Sequence, residues 1–164
     1  MDELSRVDFV VPGLMIPLPA LSHFDADSIH AGRRIGGLEI AQVSPNFLEQ
    51  FGGIVEYGIG TSNLLHLDIL ESMADYMAIY SLGGEGRACM MLARMFQTIE
   101  YSSNNSQAYF DGKTNVHYVR VGGRLCAAFW YVQFGQLHIG AAQGPSGRLA
   151  HLDKRHRLFR LVRI

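Results

Sequence analysis

Residues 63–75 read NLLHLDILESMAD, and this stretch decides which fold the sequence predicts. Its apolar side chains recur at helical spacing, and three acidic residues, Asp68, Glu71 and Asp75, follow at i, i+3 and i+7. A helix that is apolar nearly all round is a buried helix, and a carboxylate on it needs a partner or a function. The stretch therefore predicts one long buried helix that carries chemistry.

Strand patterns surround this predicted helix. Thr61 or Ser62 would cap the helix, which would run to about Leu82, where the glycines of GGEG stop it. LEIAQVS and GIVEYGI read as strands before it. The strands expected after it are RACMMLARMFQTIEY, SQAYF, NVHYVRV, RLCAAFWYVQF and LHIGAAQ. One long helix among antiparallel strands is an α+β fold.

The chain divides into a main part and a short tail. Residues 1–144 are expected to form a single domain, whose first 36 residues are irregular and punctuated by proline, with a possible short helix capped by Asp25. Residues 145–164 form a basic tail, with six Lys/Arg against one acid, whereas residues 1–144 hold eight against fourteen. The leucines of the tail suit a docked helix, but the basic residues also suit the phosphate of a ligand or a nucleic acid.

Composition places the protein in a broad class. The chain is 48% hydrophobic, lacks a membrane-spanning run and shows no secretory signal, so a cytoplasmic location is expected. Cys89 and Cys126 are expected to be reduced core thiols. His151 and His156 are the one histidine pair near ligand spacing, and no metal site is predicted. The apolar content favours pairing with a second copy of the chain.

Two features of the sequence resemble one enzyme family. Asp75 follows His66 by nine residues in HLDILESMAD, and residues 112–134 look like two late strands joined by a tight turn. Over roughly residues 36–140 the chain resembles hotdog-fold thioesterases of the phenylacetyl-CoA and 4-hydroxybenzoyl-CoA types. In that family the helix opens with His-Gly-Gly, where this chain has Leu67 and Asp68 after the histidine. The resemblance implies a hotdog-like fold, with one long central helix wrapped by a bent antiparallel sheet of about five to six strands.

The resemblance also implies a mechanism, the hydrolysis of an acyl thioester carried by CoA or by the phosphopantetheine of an acyl-carrier protein, with no other cofactor. Asp75 would act as general base or nucleophile, Glu71 would be the reserve carboxylate, His66 would orient the substrate and the Leu67 N–H would stabilise the oxyanion. Nine helical residues rise about 13.5 Å, so His66 and Asp75 would meet only across a homodimer or a dimer of dimers. The residues expected to contact substrate are Asn63, Asp68 and Tyr76.

Three alternatives remain open from the sequence. A hotdog dehydratase of carrier-bound β-hydroxyacyl groups also pairs a histidine with a carboxylate across a dimer. A non-catalytic module that binds an acyl group or another small molecule is favoured by the loss of the two glycines. A different α+β fold would use its late sheet and basic tail to bind a protein or a nucleic acid.

Overall fold

The computed structural model describes residues 9–105, 108–144 and 146–162, and these form eleven strands and four α-helices. The strands are β1 Val10–Leu18, β2 Leu21–Asp25, β3 Arg34–Ile35, β4 Leu38–Val43, β5 Val55–Ile59, β6 Ser62–Ile69, β7 Cys89–Met90, β8 Thr114–Val121, β9 Arg124–Gln133, β10 Gln136–Ala141 and β11 His156–Val162. The helices are α1 Pro45–Phe51, α2 Asp75–Ser81, α3 Glu85–Ala88 and α4 Leu92–Asn104.

Within the described residues, nine strands join in one mixed sheet of order β1-β6-β11-β8-β9-β10-β4-β3, with β7 beside the later part of β8. β4 runs parallel to β10, and both β11 and β7 run parallel to β8, while the other neighbours are antiparallel. β2 and β5 form a separate two-stranded sheet. The predicted hotdog-like α+β architecture is therefore wrong, because a large mixed sheet with short helices replaces a bent antiparallel sheet around one long central helix.

The stretch at 63–75 is a strand followed by the start of a short helix. β6 ends at Ile69, and α2 begins only at Asp75. Leu64 enters the core on one face of the sheet and Leu67 enters the core on the other. Because both faces of β6 are covered, the strand is apolar on both sides and imitates a buried helix in the sequence. Its backbone pairs with β1 and β11, which lie far from it in the chain.

The longest described helix, α4, lies where the sequence predicts the strand RACMMLARMFQTIEY. Six of the thirteen residues in this helix are good helix formers, one each of Leu, Ala, Arg, Met, Gln and Glu. Met91 at the N-cap position makes no side-chain cap, and the Glu56 carboxylate on β5 instead accepts the N–H groups of Leu92 (2.9 Å) and Ala93 (2.8 Å). Because the capping residue comes from a distant strand, the sequence next to the helix contains no signal that predicts where the helix begins.

Five of the other predicted strands are confirmed, whereas residues 9–36 and 108–110 differ from the prediction. The strands predicted in LEIAQVS, GIVEYGI, NVHYVRV, RLCAAFWYVQF and LHIGAAQ are confirmed as β4, β5, β8, β9 and β10. Residues 9–36 are less irregular than expected, because they include β1 and β2, and the predicted short helix shrinks to a 3-10 turn at Ala26–Ser28 that Asp25 does cap. The predicted strand at 106–110 is absent from its described part, 108–110, and residues 106 and 107 lie outside the described ranges.

The basic tail forms a strand rather than the docked helix that its leucines suggested. β11 lies between β6 and the first half of β8, with Phe159 opposite His66 and Arg157 opposite Asp68. Leu158 and Phe159 enter different cores, as successive residues of a strand do.

A hydrophobic core covers each face of the large sheet. On one face α1, α4 and the β2–β5 pair pack against residues such as Ile16 and Trp130. On the other face α2 and α3 pack against residues such as Leu67 and Tyr118. Side chains on opposite faces of the sheet are therefore packed in two different cores.

Candidate functional site

His66 faces an irregularity in the edge strand β1. Between Pro12 and Met15, β1 places two residues opposite the single residue His66, which is a β-bulge. The Leu14 N–H in this bulge donates to Nδ1 of His66 at 3.0 Å. Gly13 leaves room for the ring, because a Cβ there would lie 2.0 Å from Nε2. The bulge in β1 thus fixes the orientation of His66.

Asp68 lies beside His66, on the same face of β6. Since Nδ1 of His66 accepts a backbone N–H, the ring proton lies on Nε2, which is 3.3 Å from Oδ2 of Asp68. The Tyr109 hydroxyl also approaches Nδ1, at 3.1 Å. Burial lowers the pKa of His66 below its usual value, against the opposing charge of Asp68. His66 is therefore a neutral imidazole with a partner on each nitrogen.

Arg157 of β11 ties this pair to the start of β8. Its guanidinium donates to Oδ1 of Asn115 at 2.8 Å and to the carboxylate of Asp111, and its Nε lies 3.5 Å from Oδ1 of Asp68. The same group stands over the ring of Tyr109, 4.8 Å from the centroid. One cation of the basic tail is thus used inside the protein, in a polar network that crosses three strands.

Asp75 lies on the opposite face of the sheet from His66. Its Oδ1 accepts the hydroxyl of Tyr118 and its Oδ2 accepts the guanidinium of Arg148, both at 2.8 Å. Arg148 also donates to Glu85 at 3.0 Å, so it fastens the segment after β10 to both α2 and α3. Tyr118 belongs to the core beneath α2 and α3, whereas His66 packs against the other core. The sheet therefore separates the predicted histidine from the predicted carboxylate within one chain.

The remaining predicted site residues lie on different elements. The placement of the Leu67 N–H at a helix N-terminus is wrong, because Leu67 lies inside β6 between β1 and β11. Asn63 is half-buried in the same strand, Glu71 is exposed in the connection to α2, and Tyr76 is exposed on α2. The helix that would align these residues is replaced by a strand and a connection.

A concave site that the sequence reasoning missed opens between α4 and the segment from β2 to β3. This cleft has a volume of about 840 Å³, which lies in the range of small-molecule sites. Its floor is apolar, with Phe24 stacked on Phe96 at 4.9 Å between ring centroids and with Ile29 and Ile35 beside them. The ionisable side chains among the described residues that line it are His23, Asp25, Arg33, Arg34, Glu100 and Tyr101.

Hydrogen bonds along α4 hold the walls of the cleft. Arg94, buried in α4, donates to Oε1 of Gln97 at 2.9 Å, and Gln97 donates to the carbonyl of Pro19 at 2.8 Å. At the other end of the helix, Oγ of Ser103 accepts the Gly37 N–H at 2.7 Å. The chain on either side of the segment that faces α4 is thereby attached to the helix, which makes the cleft part of the fold rather than a gap between loops.

Two adjacent arginines stand at the cleft. Arg33 donates from one terminal nitrogen to the carbonyl of Ser28 at 2.9 Å and to the Ser28 hydroxyl, and Arg34 donates to the carbonyl of Gly37 at 3.2 Å. A guanidinium carries five N–H donors, so each arginine keeps donors that are not used by the described residues. The signal for this site in the sequence was the Arg-Arg pair in FDADSIHAGRRIG, which stands close to aromatic and branched apolar residues.

No family model, curated protein or solved structure matches this chain, and nothing in these comparisons identifies a hotdog thioesterase. None of the helices in the described ranges has the length and apolar character needed to cross a membrane. Over the same ranges, no group of three or more His, Cys, Asp or Glu side chains is placed to hold a metal ion.

Proposed function

We propose that this protein binds an amphipathic organic anion, an acyl or aryl group that carries a carboxylate or a phosphate, in the cleft beside α4. The observation that carries the proposal is the pair Arg33 and Arg34 at the mouth of a cleft whose floor is the Phe24–Phe96 stack. An apolar floor favours the body of such a ligand by burial, and a guanidinium matches the geometry of carboxylate and phosphate oxygens.

The acidic groups at the cleft limit the net charge that a ligand meets. Asp25 already accepts the N–H of Asp27 at 2.9 Å as the cap of the 3-10 turn. Glu100 is exposed on α4 and lines the same cleft as the two arginines. Glu100 therefore opposes an anion, and its removal should strengthen binding while removal of the arginines should weaken it.

The double variant Arg33→Gln/Arg34→Gln is expected to bind an anionic ligand at least about tenfold more weakly, because charge-assisted hydrogen bonds are lost. Calorimetric titration with a medium-chain fatty carboxylate, an aromatic carboxylate, their CoA thioesters and their neutral amides measures this. The amides should bind the variant and the wild type equally. Glu100→Gln should move the affinity for the anions in the opposite direction.

A matched control removes the same charge elsewhere. Arg120→Gln/Arg124→Gln deletes two exposed arginines at the turn between β8 and β9, outside the cleft. This control should leave affinity unchanged. Equal weakening in both double variants would mean that net charge alone attracts the anion, and absence of binding by every ligand would refute the proposal.

Thioester hydrolysis stays a prediction of the sequence resemblance. Asp75→Ala is expected to abolish turnover of the acyl-CoA panel if the carboxylate is the general base or nucleophile. The substitution also breaks the ion pair with Arg148, so Arg148→Ala is the control that breaks the same pair and keeps the carboxylate. Turnover in Arg148→Ala but not in Asp75→Ala supports catalysis, whereas equal turnover in both rejects it.

The same thioesters separate the remaining alternatives. A dehydratase would interconvert the β-hydroxyacyl and enoyl forms without releasing the free thiol. Binding without turnover would favour the non-catalytic module, which is the alternative that the cleft supports. Formation of a homodimer remains a prediction, as does a role for an acyl-carrier protein as partner.

A further inference from the structure

A second cavity lies on another part of the molecule, where β9, β10 and the end of β4 meet the start of α1, and its volume is about 340 Å³. We propose that this cavity binds the ring of a neutral sugar. The proposal is independent of the anion cleft, since the two cavities share no lining residue.

Aromatic rings form one wall of the cavity. Tyr131 of β9 and His138 of β10 are opposite each other across the strands, and their rings stack with centroids 4.9 Å apart and planes 5° apart. Phe129 lies one alternate position along β9, and a Cβ on Gly140 would stand 2.6 Å from its ring, so the glycine leaves room for Phe129. Tyr131 and His138 each remain only half-buried, which leaves ring surface open to a ligand. Aromatic faces attract the partly positive C–H groups of a flat ring.

Uncharged polar groups form the rest of the polar lining. Gln42, Asn46 and Gln143 carry carboxamides whose side chains make no hydrogen bond with other described residues. Oγ of Ser44 accepts the N–H of Phe47 at the start of α1, which leaves the hydroxyl proton free to be donated. A carboxamide offers both donors and an acceptor, and a sugar hydroxyl is both donor and acceptor. The two sets of groups are complementary.

The described lining of this cavity lacks acidic and basic side chains of the Asp, Glu, Lys or Arg type, and this favours a neutral ligand over a charged one. A phosphate or carboxylate would enter without a counter-charge, and a cationic amine would enter without an acid, so burial of either would be unfavourable. A ring that bears hydroxyl groups pays no such penalty, and the volume suits one ring near the lower limit of ligand cavities.

The test is a titration of the full chain with neutral monosaccharides, N-acetylated monosaccharides and short neutral oligosaccharides. Binding is measured by calorimetry and by shifts in the NMR amide signals of residues that line the cavity. Binding of at least one sugar is expected, and it should be insensitive to salt because no ion pair forms. Tyr131→Ala should weaken it about tenfold through loss of stacking, and Asn46→Ala should weaken it by a similar factor. Tyr131→Phe keeps the ring and should bind as the wild type does.

Tyr57→Ala is the control, because Tyr57 is an exposed tyrosine on β5 outside the cavity, and it should leave sugar binding unchanged. Failure of all the sugars to shift the cavity signals would overturn the proposal. It would also be overturned if Tyr131→Ala and Asn46→Ala bound the sugars as tightly as the wild type does. Each of these outcomes can be told apart from failure of the anion cleft, since the variants there touch different residues.

Discussion

Arg157→Ala is expected to lower the free energy of unfolding by about 2 kcal/mol, because charge-assisted hydrogen bonds are lost and Oδ1 of the buried Asn115 is left without its donor. Arg157 is 4% exposed and joins Asn115, Asp111 and Asp68 across three strands. Partial desolvation would raise the pKa of Asp111, but the hydrogen bond and the charge of Arg157 outweigh it and lower this pKa below its usual value. Because Asp111 itself is exposed, water can solvate its carboxylate in the variant, and this limits the loss of stability.

The neighbouring Arg155 provides the control for this prediction. Arg155 lies two residues earlier in the same tail and pairs with Asp153, but its side chain is 83% exposed. Arg155→Ala should therefore unfold in urea with nearly the same midpoint as the wild type. Arg157→Lys keeps the charge but loses the fork of donors, so it should lie between the wild type and Arg157→Ala. If Arg157→Ala and Arg155→Ala share one midpoint, the network does not stabilise the fold.

Acidification should destabilise the protein through His117, by about 1.4 kcal/mol for each pH unit over the range where the unfolded chain alone is protonated. His117 is fully buried, accepts the indole N–H of Trp130 at 3.1 Å on Nε2, and stacks on Phe159 at 4.5 Å between ring centroids. Burial lowers the pKa of His117 to about 3. An unfolded histidine titrates near pH 6.5, so its stabilising effect is complete above about that pH and is lost as the pH falls towards about 3.

His117→Gln separates this effect from the other titrations. The glutamine carbonyl can accept the Trp130 N–H but takes up no proton, so the plot of unfolding free energy against pH should become shallower by about 1.4 kcal/mol per unit between roughly pH 6 and pH 4. His66 and His156 also have pKa values lowered by burial, and they should leave a residual slope of the same sign. Identical slopes for the variant and the wild type in urea titrations would show that His117 is protonated without loss of stability.

Part of the uneven charge of the chain is balanced by contacts between the basic tail and acids in the main part of the chain. Arg148 pairs with Asp75 and Glu85, and Arg157 pairs with Asp111, so cations after residue 144 meet acids before it. The sequence left open whether the basic tail docks, binds phosphate or binds nucleic acid. For these two arginines the structure shows docking, through side chains of the protein itself.

The candidate site could be predicted only in part. The nearness of His66 and Asp68 follows from their spacing once 62–69 is read as a strand, because residues i and i+2 share a face. The role of the bulge at Gly13 and Leu14 was invisible, since it depends on a strand 52 residues away. The cleft beside α4 was missed because its floor and mouth come from segments about 60 residues apart in the chain, Phe24 to Arg34 and Ala93 to Glu100.

The sequence by itself determined the elements whose signals are local. β8, β9 and β10 follow from apolar runs that contain β-branched or aromatic residues and from glycines at the turns between them, where Gly122, Gly123 and Gly135 have positive φ. The cap formed by Asp25 is also a local feature, because its side chain accepts the N–H of Asp27 within the same turn. Only the tertiary structure decided that 63–69 is a strand and that 92–104 is a helix. The first depends on ladder partners in β1 and β11, and the second on a cap from Glu56, so in both cases the deciding hydrogen bonds come from residues that no local pattern contains.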